Sequence, residues 1–305
     1  MSVATSRMAG SLQKLSDSLQ SSEILRDAMF GHLDEAATTQ PDSLVFCQNI
    51  AYLEIANVNP HITAVITTSE LAAETRVPGL AVSANPRLTF FRLYRRLAES
   101  GQMEPSMAFG QGEGCDIHPR AVVSPRTRIG NHVTIGANAV IEDFVEIGDN
   151  TYVGPSAVIG AEGLMTVWEE DGSSLVVRHA GGVSIGHDVV ILAGAVIAKS
   201  LYRTFTRIGD YSQIGILTNI GHGVRIGARC VISGNCVITG RVDVGDGAWM
   251  GVSASVAPGL HIGAGVQIKM GSVVVQNVAP GQVVSGNFAM PHSMNMRHCL
   301  ELIRS

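Results

Sequence analysis

His222 and His187 each stand directly after a glycine and two places after an isoleucine, in NIGHGVRIG and SIGHDVVI. An unperturbed imidazole has a pKa near ~6.5, so its neutral form can take a proton from an amine or hydroxyl attacking a thioester. Such a base is typically worth about 10²–10⁴ in rate. His187 has Asp188 beside it as a group able to orient the ring, and His179 precedes it in VVRHAGG. Far upstream, Phe46, Asn49 and Tyr52 recur at equal intervals in VFCQNIAY. Two aromatic faces around an amide are what stacking on a planar base and bonding its edge require. Residue type alone makes none of these a catalyst or a ligand contact. His132 reads as plain surface and His261 as ambiguous.

What must position these residues is a repeat. Isoleucine, valine or methionine recurs at every sixth place from Ile117 to Ile159, at Ile185, Ile191 and Ile197, and from Ile208 to Val274. The residue four places on is small, as at Ala139, Ala157, Ser212 and Ala254, and the residue directly after is often glycine. Neither a helical period nor strand alternation gives six. A coil that turns a corner every six residues does, which defines a hexapeptide-repeat parallel β-helix. Three hexads close one triangular coil, with the large residue inside, the small one at the bend and glycine easing the turn. Stacked coils pair as parallel strands about 4.8 Å apart. Between seven and eight coils are expected from the hexads of this sequence.

The third place of a hexad points out of the wall, so His222 and His187 are expected outside the prism at equivalent positions two coils apart. Cys230 and Cys236 fall in the inward place and read as core filler rather than nucleophiles. No histidine stands five places after His222 or His187, the spacing of zinc-binding hexapeptide proteins, so no metal is expected. Two stretches, 161–182 and 201–206, leave the repeat. A regular coil offers little shaped surface, so these interruptions are places for function.

The chain before the repeat is of another kind. Leu12, Leu15 and Leu19 share a helical face, which predicts helix over residues 11–30, with Ser21 or Ser22 capping its second part. HITAVITT and GLAVSA read as strands, Ser69 as the cap of a short helix, and Asn85-Pro86 as the start of a longer one. The expected division is a helical segment 1–24, an α/β domain 25–105, the β-helix 106–286, and a tail with a short helix 287–305. The fold class is therefore mainly β. The 305 residues carry a formal charge of −5, which favours neither nucleic acid nor an anionic membrane surface. Charged residues are only 15%, which suggests walls covered by neighbouring subunits. No apolar run is long enough for a membrane span, and MSVATSRMAG lacks the core of a signal peptide. Five cysteines without a CxxC pair fit a reduced, cytoplasmic protein.

At the residues named above, the chain resembles the UDP-3-O-acylglucosamine N-acyltransferases of lipid A biosynthesis. The likeness runs through PDSLVFCQNIAY, NPRLTFFRL, IGAEGL, HAGGVSIGHDVVI and IGDYSQIGILTNIGHGVRIG. It implies a left-handed β-helix, a uridine-binding N-terminal domain and a homotrimer. It implies that Phe46, Asn49 and Tyr52 hold uracil and that His222 is the catalytic base; His179 and His187 are expected beside them as substrate contacts. The implied reaction moves an acyl group from a thioester, on acyl carrier protein or coenzyme A, to the amine of a UDP-amino sugar. No permanently bound cofactor is implied. There are departures. Gly215-Ile216 replace an Asp-Asn pair ahead of the base, and Gly259 stands where the family has a further histidine. The ending VAPGQVVSGNFAMP is similar to that of acetyl-CoA-dependent sugar and xenobiotic acetyltransferases. Two other readings therefore stand beside the first: an acetyl-CoA-dependent O- or N-acetyltransferase of polysaccharide or natural-product biosynthesis, and a non-catalytic sugar-nucleotide-binding homologue.

Overall fold

The computed structural model describes residues 12–19 and 22–286, with Met294 and Glu301. The expected C-terminal helix falls outside the described residues apart from those last two.

The N-terminal unit is a five-stranded sheet in the order Glu23–Arg26, Gly79–Val82, Ile62–Thr67, Ser43–Phe46, His32–Leu33. The first pair is antiparallel and the rest are parallel. The predicted helix over 11–30 is reduced to one turn, α1 (Leu15–Ser18). Leu15 and Leu19 do enter the core, but the following stretch is rich in serine and aspartate, whose side chains compete for backbone groups. Asp27 does so here, accepting from Ser16 N at 3.1 Å. EILR, expected as helix, becomes an edge strand of the sheet. α2 (Ile50–Val58) lays Leu53 and Ala56 on the sheet. α3 (Pro86–Glu99) starts as expected, with Asn85 Oδ1 accepting from Leu88 N at 3.1 Å. It buries Leu88, Phe90, Phe91, Leu93, Tyr94 and Leu97, each worth about 1.5–3 kcal/mol when an apolar side chain leaves water.

The rest of the described chain is a left-handed parallel β-helix with three walls. The first wall runs from Gly110–Gln111 to His261–Ile262, the second from Asp116–Ile117 to Val283–Val284, and the third from Val122–Val123 to Val273–Val274. They hold eight, nine and eight strands, so the prism exceeds the expected number of coils. The extra strands lie at Gly110–Gln111, where glutamine takes the apolar place, and at Val283–Val284, beyond the regular series. The inward residues form one continuous core from Ile129 to Val278. Cys230 and Cys236 are wholly buried in it, and burial pushes their thiols up, as befits filler.

Glycine after the isoleucine serves a different purpose from the one expected. Gly221 is not in the left-handed region; a Cβ there would stand 2.6 Å from Gly240 N on the next coil. Close stacking demands it. The left-handed turn comes two places later, at Gly223 (φ 66°) and at Arg241 (φ 61°).

Both interruptions leave the prism at one edge, between the third wall and the first. They separate Val158–Ala161 from Gly182–Ile185, and Val196–Ala198 from Phe205–Ile208. The first contains a hairpin, Thr166–Trp168 with Ser174–Val176. Val167, Leu175 and Val177 of this insertion, and Leu201 of the second, pack into the N-terminal core beside α3. The Tyr94 hydroxyl accepts from Ala180 N at 2.9 Å and lies against the Arg178 and Leu201 carbonyls. Arg92 is paired with Glu169. The insertions thus fasten the α/β unit to one edge of the prism.

Candidate active site

His222 stands on that same edge, one coil beyond the second interruption. It follows the third-wall strand Asn219–Ile220, and the first-wall strand Arg225–Ile226 comes next. As the sequence suggested, the ring points out of the prism, but it is half-buried rather than open. It lies across the coil above: a Cβ on Gly240 would stand 2.5 Å from its Nε2. The His179 ring meets it edge to face, with centroids 5.2 Å apart at 62°. Burial first, then His179 and Arg241, pull the His222 imidazole down to about 4. It is therefore neutral at physiological pH, with a lone pair to offer.

His179 returns at the end of the first insertion. Its side chain is fully buried, packed over Gly163, and neither ring nitrogen has a hydrogen-bond partner among the described residues. Glu162, at the start of the same insertion, accepts the His179 backbone N–H at 2.9 Å and approaches His179 Nδ1 to 3.5 Å. Its other oxygen holds Lys199 Nζ at 2.8 Å. Burial opposes ionisation of Glu162, but the His179 ring, Lys199 and the backbone N–H hold it at about 2.

Arg241 follows Gly240 on the coil above and donates its backbone N–H to His222 O at 2.9 Å. Its guanidinium reaches Glu35 Oε2 of the α/β unit at 2.7 Å and lies within electrostatic range of Tyr52 and of His222. Gly221 and Gly240 flank the His222 ring and carry backbone N–H groups that an oxyanion could use. The Gly221 N–H is spent on Ile238 O, whereas the Gly240 N–H has no partner among the described residues.

The α/β unit brings the aromatic pair to its rim. Phe46 ends a central strand, half-buried against Phe90 and Phe91 at centroid distances of 5.1 and 5.9 Å. Asn49 caps α2, its Oδ1 accepting from Tyr52 N at 3.1 Å, which leaves the amide N–H groups for a ligand. Tyr52 is exposed.

His187 is not brought to this cluster. It belongs to the coil just before that of His222 and follows a first-wall strand, so it stands on the edge between the first and second walls. Equivalence within the hexad did not mean equivalence of edge, because the insertions shift the count. Its orienting neighbour is Asp149 rather than Asp188: Asp149 N donates to His187 Nδ1 at 3.0 Å. His132 and His261 are exposed, away from the site. Among the described residues, no three His, Cys, Asp or Glu side chains gather as a metal would need. No helix among them is long and apolar enough to cross a membrane. Glu162, Lys199 and Arg241 were missed by sequence reasoning, and only the place of Glu162 in IGAEGL, at the mouth of an interruption, hinted at a role.

The model of the bacterial transferase hexapeptide, six repeats, matches residues 126–161 and 205–240, and that of the hexapeptide repeat of succinyl-transferase matches 241–276. The gap between the first two matches holds both insertions. These matches mark hexapeptide repeats along the prism on both sides of the insertions. UDP-3-O-acylglucosamine N-acyltransferases from strains of Coxiella burnetii are 28% identical over 56% of this chain and 57% of their own length. The match thus spans little more than half of those relatives. Among solved structures, the UDP-N-acetylglucosamine acyltransferase from Campylobacter jejuni overlaps 60% of this hexapeptide-repeat chain and 77% of its own, at 23% identity and a TM-score of 0.45. A mutant perosamine N-acetyltransferase from Caulobacter crescentus, in complex with CoA and GDP-perosamine, overlaps 80% of this chain and 92% of its own at 19% identity and a TM-score of 0.31.

Proposed function

We propose that this chain is a cytoplasmic acyltransferase that moves an acyl group from a thioester to the amine of a UDP-amino sugar, with His222 as the general base. The observation that carries the reading is a neutral, half-buried imidazole on the one edge where two insertions and the α/β unit converge. The named activity of the Coxiella relatives supports it. Phe46 and Tyr52 stack on the uracil, and the Asn49 amide donates to its edge. Arg241, which bonds Glu35 of the α/β unit and donates its backbone N–H to His222 O, neutralises the diphosphate.

In the reaction, the amine nitrogen attacks the thioester carbonyl and His222 takes its proton. The Gly240 N–H faces the developing oxyanion. The C–S bond then breaks, the imidazolium returns the proton to the departing sulfur, and an amide and a free thiol remain. The third wall presents Val122, Val140, Val158, Val196, Val237 and Val273 outward and ends at the His222 edge. Two further copies of this chain cover such walls in a cyclic trimer, and His187 reaches substrate from one of them.

Thiol release from acyl-coenzyme A and from acyl carrier protein, with UDP-glucosamine derivatives carrying a free or an acetylated amine, tests the reading. Turnover only with the free amine supports it; turnover only on a hydroxyl, or no release with any sugar nucleotide, overturns it. The ending VAPGQVVSGN favours a second reading of the donor as acetyl-coenzyme A, which the same assay resolves.

A further inference from the structure

A base must be able to hold the proton it takes, and the immediate surroundings of His222 oppose that. The titratable or charged groups that act on it are His179 and Arg241, and both disfavour its protonated form. Two carboxylates lie one step away. Glu35 is engaged by Arg241. Glu162 reaches the cluster only through His179 and is shared with Lys199.

The His179 ring is the unusual member. It is wholly buried, yet both nitrogens are unpartnered among the described residues. A carboxylate 3.5 Å from Nδ1 favours the tautomer with its proton on that nitrogen. Nε2 is then a buried lone pair without a donor. Such an acceptor is destabilising, and one that is kept calls for an explanation.

We infer that Glu162 and His179 are positioning residues for His222: the carboxylate fixes the His179 tautomer, and the unpaired Nε2 of His179 accepts an N–H from the His222 ring once that ring is protonated. This rests on His222 being the base. The two rings are already in edge-to-face contact, so a turn of the His222 side chain completes the bond. A hydrogen bond absent at rest and formed only with the imidazolium stabilises the reacting state without stabilising the resting one. The first insertion, which brings in both residues, thereby supplies the acidic support that no residue of the coil provides. The proton remains on His222 until the thiolate takes it, so no further reactant is needed.

The test uses full-length protein labelled with ¹⁵N-histidine. The wild type is expected to show His179 neutral with its proton on Nδ1. In Glu162→Gln that preference is expected to be lost and His222 to titrate lower still. In the thiol-release assay, kcat is expected to fall about tenfold or more while KM stays within about twofold, as for loss of an orienting carboxylate. Glu162→Asp, which keeps the charge, is expected to retain most of the rate. Should Glu162→Gln fail to fold, His179→Gln is read by kcat: the same fall is expected, and an unchanged kcat overturns the inference. A wild-type His179 carrying its proton on Nε2 would overturn the inference, as would unchanged kcat and unchanged His222 titration in Glu162→Gln. The tautomer is read without turnover, so a chain that transfers no acyl group, which defeats the proposed function, is told apart from a pair that does not exist.

Discussion

His222 works at neutral pH because it is kept unprotonated, and its titration can be followed directly. By NMR it is expected to titrate near 4, and Arg241→Ala is expected to raise it only part of the way toward ~6.5, because burial is the larger cause and stays in place. The depressed pKa also bears on stability. The unfolded chain binds this proton near ~6.5 and the folded chain only near 4, so the contribution of His222 to stability falls as pH drops between those values. Asp34 acts the other way. Burial raises its carboxyl to about 6, so it is protonated in the folded state before the unfolded one, and acidification through that range favours the fold. Denaturant unfolding of wild type and His222→Ala between pH 4 and 7 separates the two: the variant is expected to lose less stability on acidification. His222 was legible in the sequence because the hexad fixes which places face outward. Its neighbours were not. His179 was named in the sequence, but its contact with His222, and the Glu162 and Lys199 behind it, come through insertions that obey no period, and Arg241 is near only because coils stack.

At the scale of elements, the corner glycines control the site. A methyl group on Gly240 would stand 2.5 Å from His222 Nε2, and the far end of the ring gives way more easily than the backbone. Gly240→Ala is therefore expected to leave thermal unfolding nearly unchanged while lowering kcat about 100-fold, the usual cost of a reacting group displaced by about 1 Å. Tyr94 joins α3 to both insertions by its hydroxyl. Tyr94→Phe is expected to lose about 1–3 kcal/mol in urea unfolding, since it leaves buried backbone groups unpaired. The prism was the most legible element, because inward residues and small bends keep time independently. The misread helix over 11–30 shows the opposite case. Three leucines at helical spacing were enough to suggest a face, but polar residues there bond to the backbone, Glu23–Arg26 pairs with Gly79–Val82, and Met29–Phe30 pairs with Gln13–Lys14. Glycine after isoleucine was placed correctly but for the wrong reason, since close stacking of coils is a tertiary demand that a single hexad does not show.

At the scale of the molecule, one edge gathers the two insertions, the α/β unit and His222, while the valine-lined third wall ends there. Sedimentation equilibrium is expected to give a trimer, since a wall that leaves Val122, Val237 and Val273 exposed in a chain of few charges is poorly suited to water. The central claim is that the half-buried imidazole on this edge takes the proton of an attacking amine. The most direct measurement compares wild type and His222→Ala in thiol release with a UDP-amino sugar, under conditions where both unfold at the same temperature. The account predicts that the substitution lowers kcat by about 10²–10⁴ while leaving UDP binding intact. Equal rates in the two proteins would contradict it.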